Sequence, residues 1–179
     1  MNNVDVIKDK NDIEKIKEVL LKSNYRNYLM FIIGLNSGLR INQILSLKFC
    51  DLINESGEFL EILILNDRRY LINQYIKNCL KTYTEGLNFE NKDFIFKSRK
   101  GNNHIERTQA YRILNKACIE ANVKINIGTH TLRKTFGYHF YKQYRDLKYL
   151  QKLFNHPSTK ITKKYIEIEE DVEYKSFSL

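Results

Sequence analysis

Residues that interrupt regular structure are scarce in this 179-residue chain, which has one proline and seven glycines. So little punctuation argues against a sandwich of many short strands and favours helices joined by short connections. Cysteine is scarce as well. Cys50, Cys79 and Cys118 form an odd, scattered set with no close pair and no metal-ligand spacing, which disfavours a disulfide scaffold or a zinc site and suits buried free thiols in a reducing cytosol. No apolar run approaches the roughly 18 residues needed to cross a bilayer. The start, Met1-Asn2-Asn3-Val4-Asp5, lacks both a basic leader and an apolar h-region. A cytoplasmic protein with no membrane partner is expected.

The chain does carry a core's worth of apolar residues and an excess of positive charge. With 42% of residues apolar, it is globular, and its length fits one domain. Thirty Lys and Arg against twenty-one Asp and Glu give a net charge of +9. Basic surface attracts phosphate by long-range steering and by release of condensed counterions, so a polyanion is the first class of partner to consider.

Periodicity places the helices. Ile13, Ile16, Val19 and Leu20 form one buried stripe, with Asn11 or Asp12 as the expected cap. Residues 28–35 are apolar all round and predict a central helix closing near Gly38, followed by a short helix over residues 41–47 with Arg40 at its beginning. Residues 59–65 and 69–73 read as a hairpin about Asn66-Asp67, with Phe94-Ile95-Phe96 as a third strand. Further helices are expected through Ile76, Cys79, Leu80 and Tyr83, and from about Thr108 to Ala121. Another opens at Thr129 or His130 and runs along Phe136, Phe140, Tyr144 and Leu147. The last two follow Leu147, Leu150 and Phe154, and start from about Ser158. The sum is an α+β, mostly α-helical fold with a small antiparallel three-stranded sheet.

Several polar residues stand out. His130 and Arg133, three apart, can address one anion from one helix face, or can be a solvated surface pair. Arg40 sits in an apolar region where an unpaired guanidinium is costly, so it needs a phosphate or an acid such as Asp51. His156 could cap a helix, and Tyr165 could be a half-buried core tyrosine.

Taken in order, Ser37-Gly38-Leu39-Arg40-Ile41, Thr129-His130-Thr131-Leu132-Arg133, Phe154-Asn155-His156-Pro157-Ser158 and Thr162-Lys163-Lys164-Tyr165-Ile166 resemble the catalytic domain of the tyrosine recombinase (phage integrase) family over nearly the whole chain. The resemblance implies site-specific DNA recombination, integration or excision, through a 3′-phosphotyrosyl intermediate. Tyr165 would be the nucleophile and His130 the general base. Arg40 and Arg133 would hold the scissile phosphate and His156 would bond a nonbridging oxygen, with no metal and no cofactor. Paired guanidinium forks suit this task because charge concentrates on the nonbridging oxygens during attack on phosphorus. Double-stranded DNA is the implied partner, with a homotetramer on DNA and a monomer or weak oligomer when free. Arg68, Arg99, Lys100, Arg107 and Arg112 are candidate backbone contacts, which position a protein without specifying sequence.

Three departures from the family stand beside this. Leu65-Asn66-Asp67-Arg68-Arg69 carries no hairpin lysine, the family's general acid, and Arg68 surrenders a proton reluctantly. Lys97 or Lys100 could reach in, although Phe96-Lys97-Ser98-Arg99-Lys100-Gly101 reads more naturally as a backbone contact. Asn42-Gln43 stands where an acidic residue is common. Residues 1–179 read as a single catalytic domain with no preceding DNA-clamping domain, from which weak, salt-sensitive DNA affinity is expected. The acidic segment Glu167 to Glu173, with Phe177 and Leu179 as apolar anchors, is expected to dock on a neighbouring protomer.

Other functions are less well supported. A topoisomerase would share the mechanism, and a DNA-binding regulator or decayed mobile-element integrase would share the basic face but lack the chemistry. A metal hydrolase is disfavoured because His104, His130, His139 and His156 form no familiar ligand pattern.

Overall fold

The computed structural model describes residues 4–99 and 101–168. Eight helices and one hairpin follow in chain order: α1 (Lys10–Ser23), α2 (Tyr25–Ser37), α3 (Ile41–Leu45), β1 (Ile62–Leu65), β2 (Arg68–Leu71), α4 (Gln74–Thr84), α5 (Arg107–Glu120), α6 (Thr131–Tyr144), α7 (Leu147–Phe154) and α8 (Thr159–Tyr165). Among the described residues no helix is long and apolar enough to cross a membrane.

The apolar helix expected near residue 30 is α2, the centre of the domain, which packs on α1, α4 and α6. Met30, Phe31, Ile32 and Ile33 are fully enclosed. Its crossing with α6 is close because Gly34 lies under Leu132, where an added Cβ would stand 2.5 Å from Cδ1. The helix stops at Gly38, whose φ of 70° is the left-handed conformation that glycine adopts without steric cost. Arg40 then precedes α3, which ends at Leu45, two residues earlier than the pattern suggests.

The hairpin turns on Asn66 and Asp67, both left-handed (φ 49° and 59°), as a tight two-residue connection requires. Leu65 pairs with Arg68 and Leu63 with Tyr70; Leu63 and Tyr70 are buried in the core, and Leu65 packs against its edge. The third strand is not formed. Phe94-Ile95-Phe96 spends its hydrogen bonds elsewhere: Ile95 N–H donates to Leu47 O at 2.9 Å, and Phe96 O accepts from Ile105 N–H at 2.8 Å. Phe94 makes only an isolated bridge with Lys48. Among the described residues the sheet therefore has two strands.

Smaller differences have local causes. Asp9, ahead of both expected residues, caps α1 by accepting the Asn11 N–H at 2.8 Å. Leu147 belongs to α7 alone, because left-handed Arg145 ends α6 at Tyr144 and Asp146 caps the next helix by accepting the Tyr149 N–H. All three cysteines are free, and Cys79 and Cys118 are buried as expected. Cys50 is exposed, in a 3₁₀ turn (Phe49–Asp51) that sends Phe49 inward instead.

Gly137 gives α6 its second close contact, since a Cβ there would stand 2.6 Å from Ile166 Cγ2 and 2.8 Å from Phe154 Cε2. Gly137→Ala should therefore overpack the seam between α6, α7 and the end of α8. The expected cost is about 1–3 kcal/mol, which is roughly 2–12 °C in Tm for a domain of this size. An unchanged melting temperature would show that the seam has room to spare.

Candidate active site

Arg133 lies in the first turn of α6 and is 2% exposed. Its Nη1 donates to the carbonyl of Gly38, the residue that ends α2, and its guanidinium carbon lies 4.3 Å from the Phe154 ring centroid. Nη2 is buried with no hydrogen-bond partner among the protein atoms. Burial lowers the Arg133 pKa, against the upward pull of Tyr165. The side chain is thus a held cation with one donor to spare, the arrangement that recognises an anion.

The turn before α6 sets His130. Thr131, fully buried, accepts the Gly128 N–H through Oγ1 at 2.9 Å and returns its own N–H to Gly128 O at 3.1 Å. His130 consequently occupies the cap position just outside the helix. Its Nδ1 stands 3.2 Å from the Tyr165 hydroxyl, with the two rings at 85°. In the Nε2–H tautomer the imidazole accepts the phenol proton. Burial lowers the His130 pKa, and the charges of Arg133, Arg40, Arg107 and Lys134 lower it further, so the neutral base is favoured.

Tyr165 is the last residue of α8, a helix capped by Ser158 and preceded by left-handed Asn155 at the end of α7. Phe154 packs edge-on against both Tyr165 and His156, each with centroids 5.5 Å apart, and His156 meets Tyr165 at 4.9 Å. Thr162, one turn before the tyrosine, holds His156 Nδ1 at 3.1 Å and donates to Ser158 O. Burial pushes the Tyr165 hydroxyl up to about 12, although Arg133 and Arg40 act to lower it. His156 is lowered by burial and then by the same two arginines.

Arg40 is exposed at the start of α3, and its charge acts on Tyr165, His130 and His156. Asp51 is not its partner, since that carboxylate accepts the Lys48 N–H at 2.8 Å. Gln43, standing where an acid was expected, accepts the Arg40 backbone N–H at 2.9 Å and so fixes the chain at the arginine without adding charge.

The structure thus gathers Arg40, His130, Arg133, His156 and Tyr165 from four separate stretches of chain. The outlying basic residues divide. Arg107 and Arg112 line one groove with Gly128 and Thr129, next to His130. Arg99 lies with Arg26 and Lys116 in another, between α1, α2 and α5. Arg68 opens β2. Lys100 and the acidic segment from residue 169, with Phe177 and Leu179, lie outside the described residues. Lys97 turns to Asp93 at 3.1 Å. Sequence reading missed Thr162, Phe154 as the aromatic centre, and Tyr70, whose fully buried hydroxyl lies beside Arg133 and acts to raise its pKa. The inward position of Tyr70 in the strand alternation was the available signal.

Residues 8–171 match the phage integrase family. The probable integrase/recombinase YoeC of Bacillus subtilis (strain 168) is 41% identical over 172 residues, which cover 96% of this chain and 93% of that one. A tyrosine recombinase of Pseudothermotoga lettingae is 27% identical over 88% of this chain, which spans about half of that relative's length (54%). The crystal structure of XerA recombinase superposes with a TM-score of 0.76 at 18% identity, over 95% of this chain and 62% of that one. That of XerH site-specific recombinase bound to difH substrate, a pre-cleavage complex, gives 0.68 at 23% identity, over 91% and 50%. These solved structures share the fold. With nearly its whole length matched and a relative aligned almost end to end, the chain belongs to the phage integrase family.

Proposed function

We propose that this protein cuts and rejoins DNA at specific sites through Tyr165. The observation that carries the proposal is the Tyr165 hydroxyl placed 3.2 Å from His130 Nδ1, under the charges of Arg133 and Arg40. A phenol pushed up to about 12 stays protonated near neutrality and needs a base at hydrogen-bond distance, which the neutral His130 supplies. As His130 takes the proton, the phenol oxygen attacks phosphorus and the bond to the 5′ oxygen breaks. The products are a 3′-phosphotyrosyl ester and a 5′ hydroxyl, which gains a proton. Attack by a 5′ hydroxyl on that ester reverses each step, and because the ester retains the energy of the broken bond, rejoining draws on no ATP.

Arg133 and Arg40 neutralise the charge that grows on the nonbridging oxygens, with Nη2 of Arg133 free to donate. Because the Thr162 hydroxyl donates to Ser158 O, Nδ1–H of His156 donates to Thr162 Oγ1, and Nε2 bonds a phosphate oxygen when the ring carries its second proton. Arg107 and Arg112, beside His130, are suited to the flanking backbone, and Arg99 and Arg68 extend that set. Recombining two duplexes calls for four active tyrosines, so the chain acts as a homotetramer on DNA in this proposal.

A nicked suicide substrate incubated in EDTA should yield a covalent protein–DNA adduct that Tyr165→Phe abolishes. Adduct formation by Tyr165→Phe, or none by the wild type on a matched site, would overturn the assignment. Arg133→Lys should cut the cleavage rate by roughly 100- to 1000-fold because it removes the fork; single-turnover kinetics measure this.

The pH profile follows from the sign of the His130 shift. The neutral form is the active one and its pKa lies below the ordinary 6.5, so the acid fall of single-turnover cleavage should have its midpoint below pH 6.5. A midpoint above pH 6.5 would remove His130 from the role of base.

A further inference from the structure

Lys134 follows Arg133 in α6 and is 5% exposed, a burial that an ammonium tolerates only when paired. Its Nζ donates to Glu167 Oε1 at 2.6 Å and to the Val4 carbonyl at 2.6 Å. Both partners bear on the reacting groups. Glu167 stands two residues beyond Tyr165, and Val4 leads a strap of residues 4–8 laid along α6. Ile7 N–H donates to Thr135 Oγ1 at 3.0 Å, and the Ile7 carbonyl meets His139 Nε2 at 2.9 Å. Val4 packs against Gly128, in the loop that leads into His130, and Asp5 bonds Asn126 through backbone and carboxylate.

The chain at Glu167 is shaped to reach this cation. Its φ of 55° is left-handed, a conformation that residues with a Cβ seldom adopt unless their surroundings hold them there. Ile166 is fully buried in the notch left by Gly137, and the N–H groups of Ile166, Glu167 and Ile168 bond back to Thr162, Lys164 and Lys163. Lys8 adds a second cation 3.6 Å from Glu167 Oε2. Lys134 itself lies 6.0 Å from the Tyr165 ring centroid, and its backbone N–H donates to the His130 carbonyl at 2.8 Å. One side chain therefore joins the turn after the nucleophile to the helix that carries the base and Arg133.

We infer that Lys134 and Glu167 are positioning residues for the strand-cleavage step: their ion pair, completed by the Val4 carbonyl, fixes the Tyr165 hydroxyl against His130 and Arg133. The inference rests on the assignment of Tyr165 as nucleophile. The hydrophobic core does not need this pair, because α2 and its neighbours are packed independently of it. The end of α8 does need it. Without the pair the last turn keeps Ile166, its own backbone bonds and the ring contacts of Tyr165 but loses its charged tie to α6, and a shift on the order of 1 Å at a reacting atom costs about 100-fold in rate.

The experiment compares Glu167→Gln, Lys134→Met and the double variant with the wild type, reading single-turnover cleavage at saturating DNA, DNA affinity, melting temperature and amide hydrogen exchange. Each single variant should cleave about 10- to 100-fold more slowly with DNA affinity held to within about 2-fold, and the double variant should lose no more than the worse single, as groups acting as one unit do. Exchange should quicken at Ile166, Glu167 and Ile168 while residues 29–33 stay protected. Unchanged cleavage and exchange, additive losses in the double variant, or affinity falling as far as rate would each overturn the inference. Should Lys134→Met fail to fold, Glu167→Gln decides alone, since it leaves Nζ its bond to Val4. Should the wild type form no adduct, the nucleophile assignment fails, and the exchange data still decide whether the pair holds the end of α8.

Discussion

A buried guanidinium organises this domain. Arg133 is removed from water, and removal is tolerable only because the Gly38 carbonyl and the face of Phe154 meet it. Each contact then constrains an element. The carbonyl is available because α2 ends in a left-handed residue, and glycine fills that place while a Cβ there would strike Phe136 at 2.7 Å. Phe154 is available because α7 stops at Asn155, which also swings the chain toward His156 and α8. Moving the cation would therefore disturb the ends of three helices at once.

The same charge governs the chemistry around it. Burial alone would leave Tyr165 inert and both histidines neutral; Arg133 and Arg40 oppose burial at the phenol and reinforce it at the imidazoles. The two effects act in concert, easing ionisation of the Tyr165 phenol while keeping His130 free of a proton. Phe154 contributes no charge but sits between Arg133, His156 and Tyr165, so the three keep their spacing through ring contacts that salt does not screen.

Sequence reading found the helices wherever apolar spacing was regular, and it singled out Arg40, His130, Arg133, His156 and Tyr165 because their order and spacing resemble the family's, although each taken singly has an ordinary structural reading. It failed where the deciding interaction lay between distant segments. Phe94-Ile95-Phe96 has the composition of a strand, yet Leu47 and Ile105 take its hydrogen bonds. Asp9 outcompeted Asn11 and Asp12 as a cap through a one-residue choice that propensity does not resolve. Lys134 and Thr162 look like ordinary solvated helix positions, and only packing reveals that each holds a neighbour of Tyr165. Cys50 went the other way, outward, because Phe49 claimed the inward side of a short turn.

The strap of residues 4–8 has a consequence for the order of folding. Its bonds to α6 span 128 residues from Ile7 to Thr135 and 130 from Val4 to Lys134, separations whose loop-closure entropy delays them behind local helix formation. Synthesis must pass Glu167 before the last partner exists. A nascent chain can thus fold α1, α2 and α4 around their own apolar faces, while the turn of α8 that carries the tyrosine stays unassembled until the earliest and latest described segments have both reached the same helix.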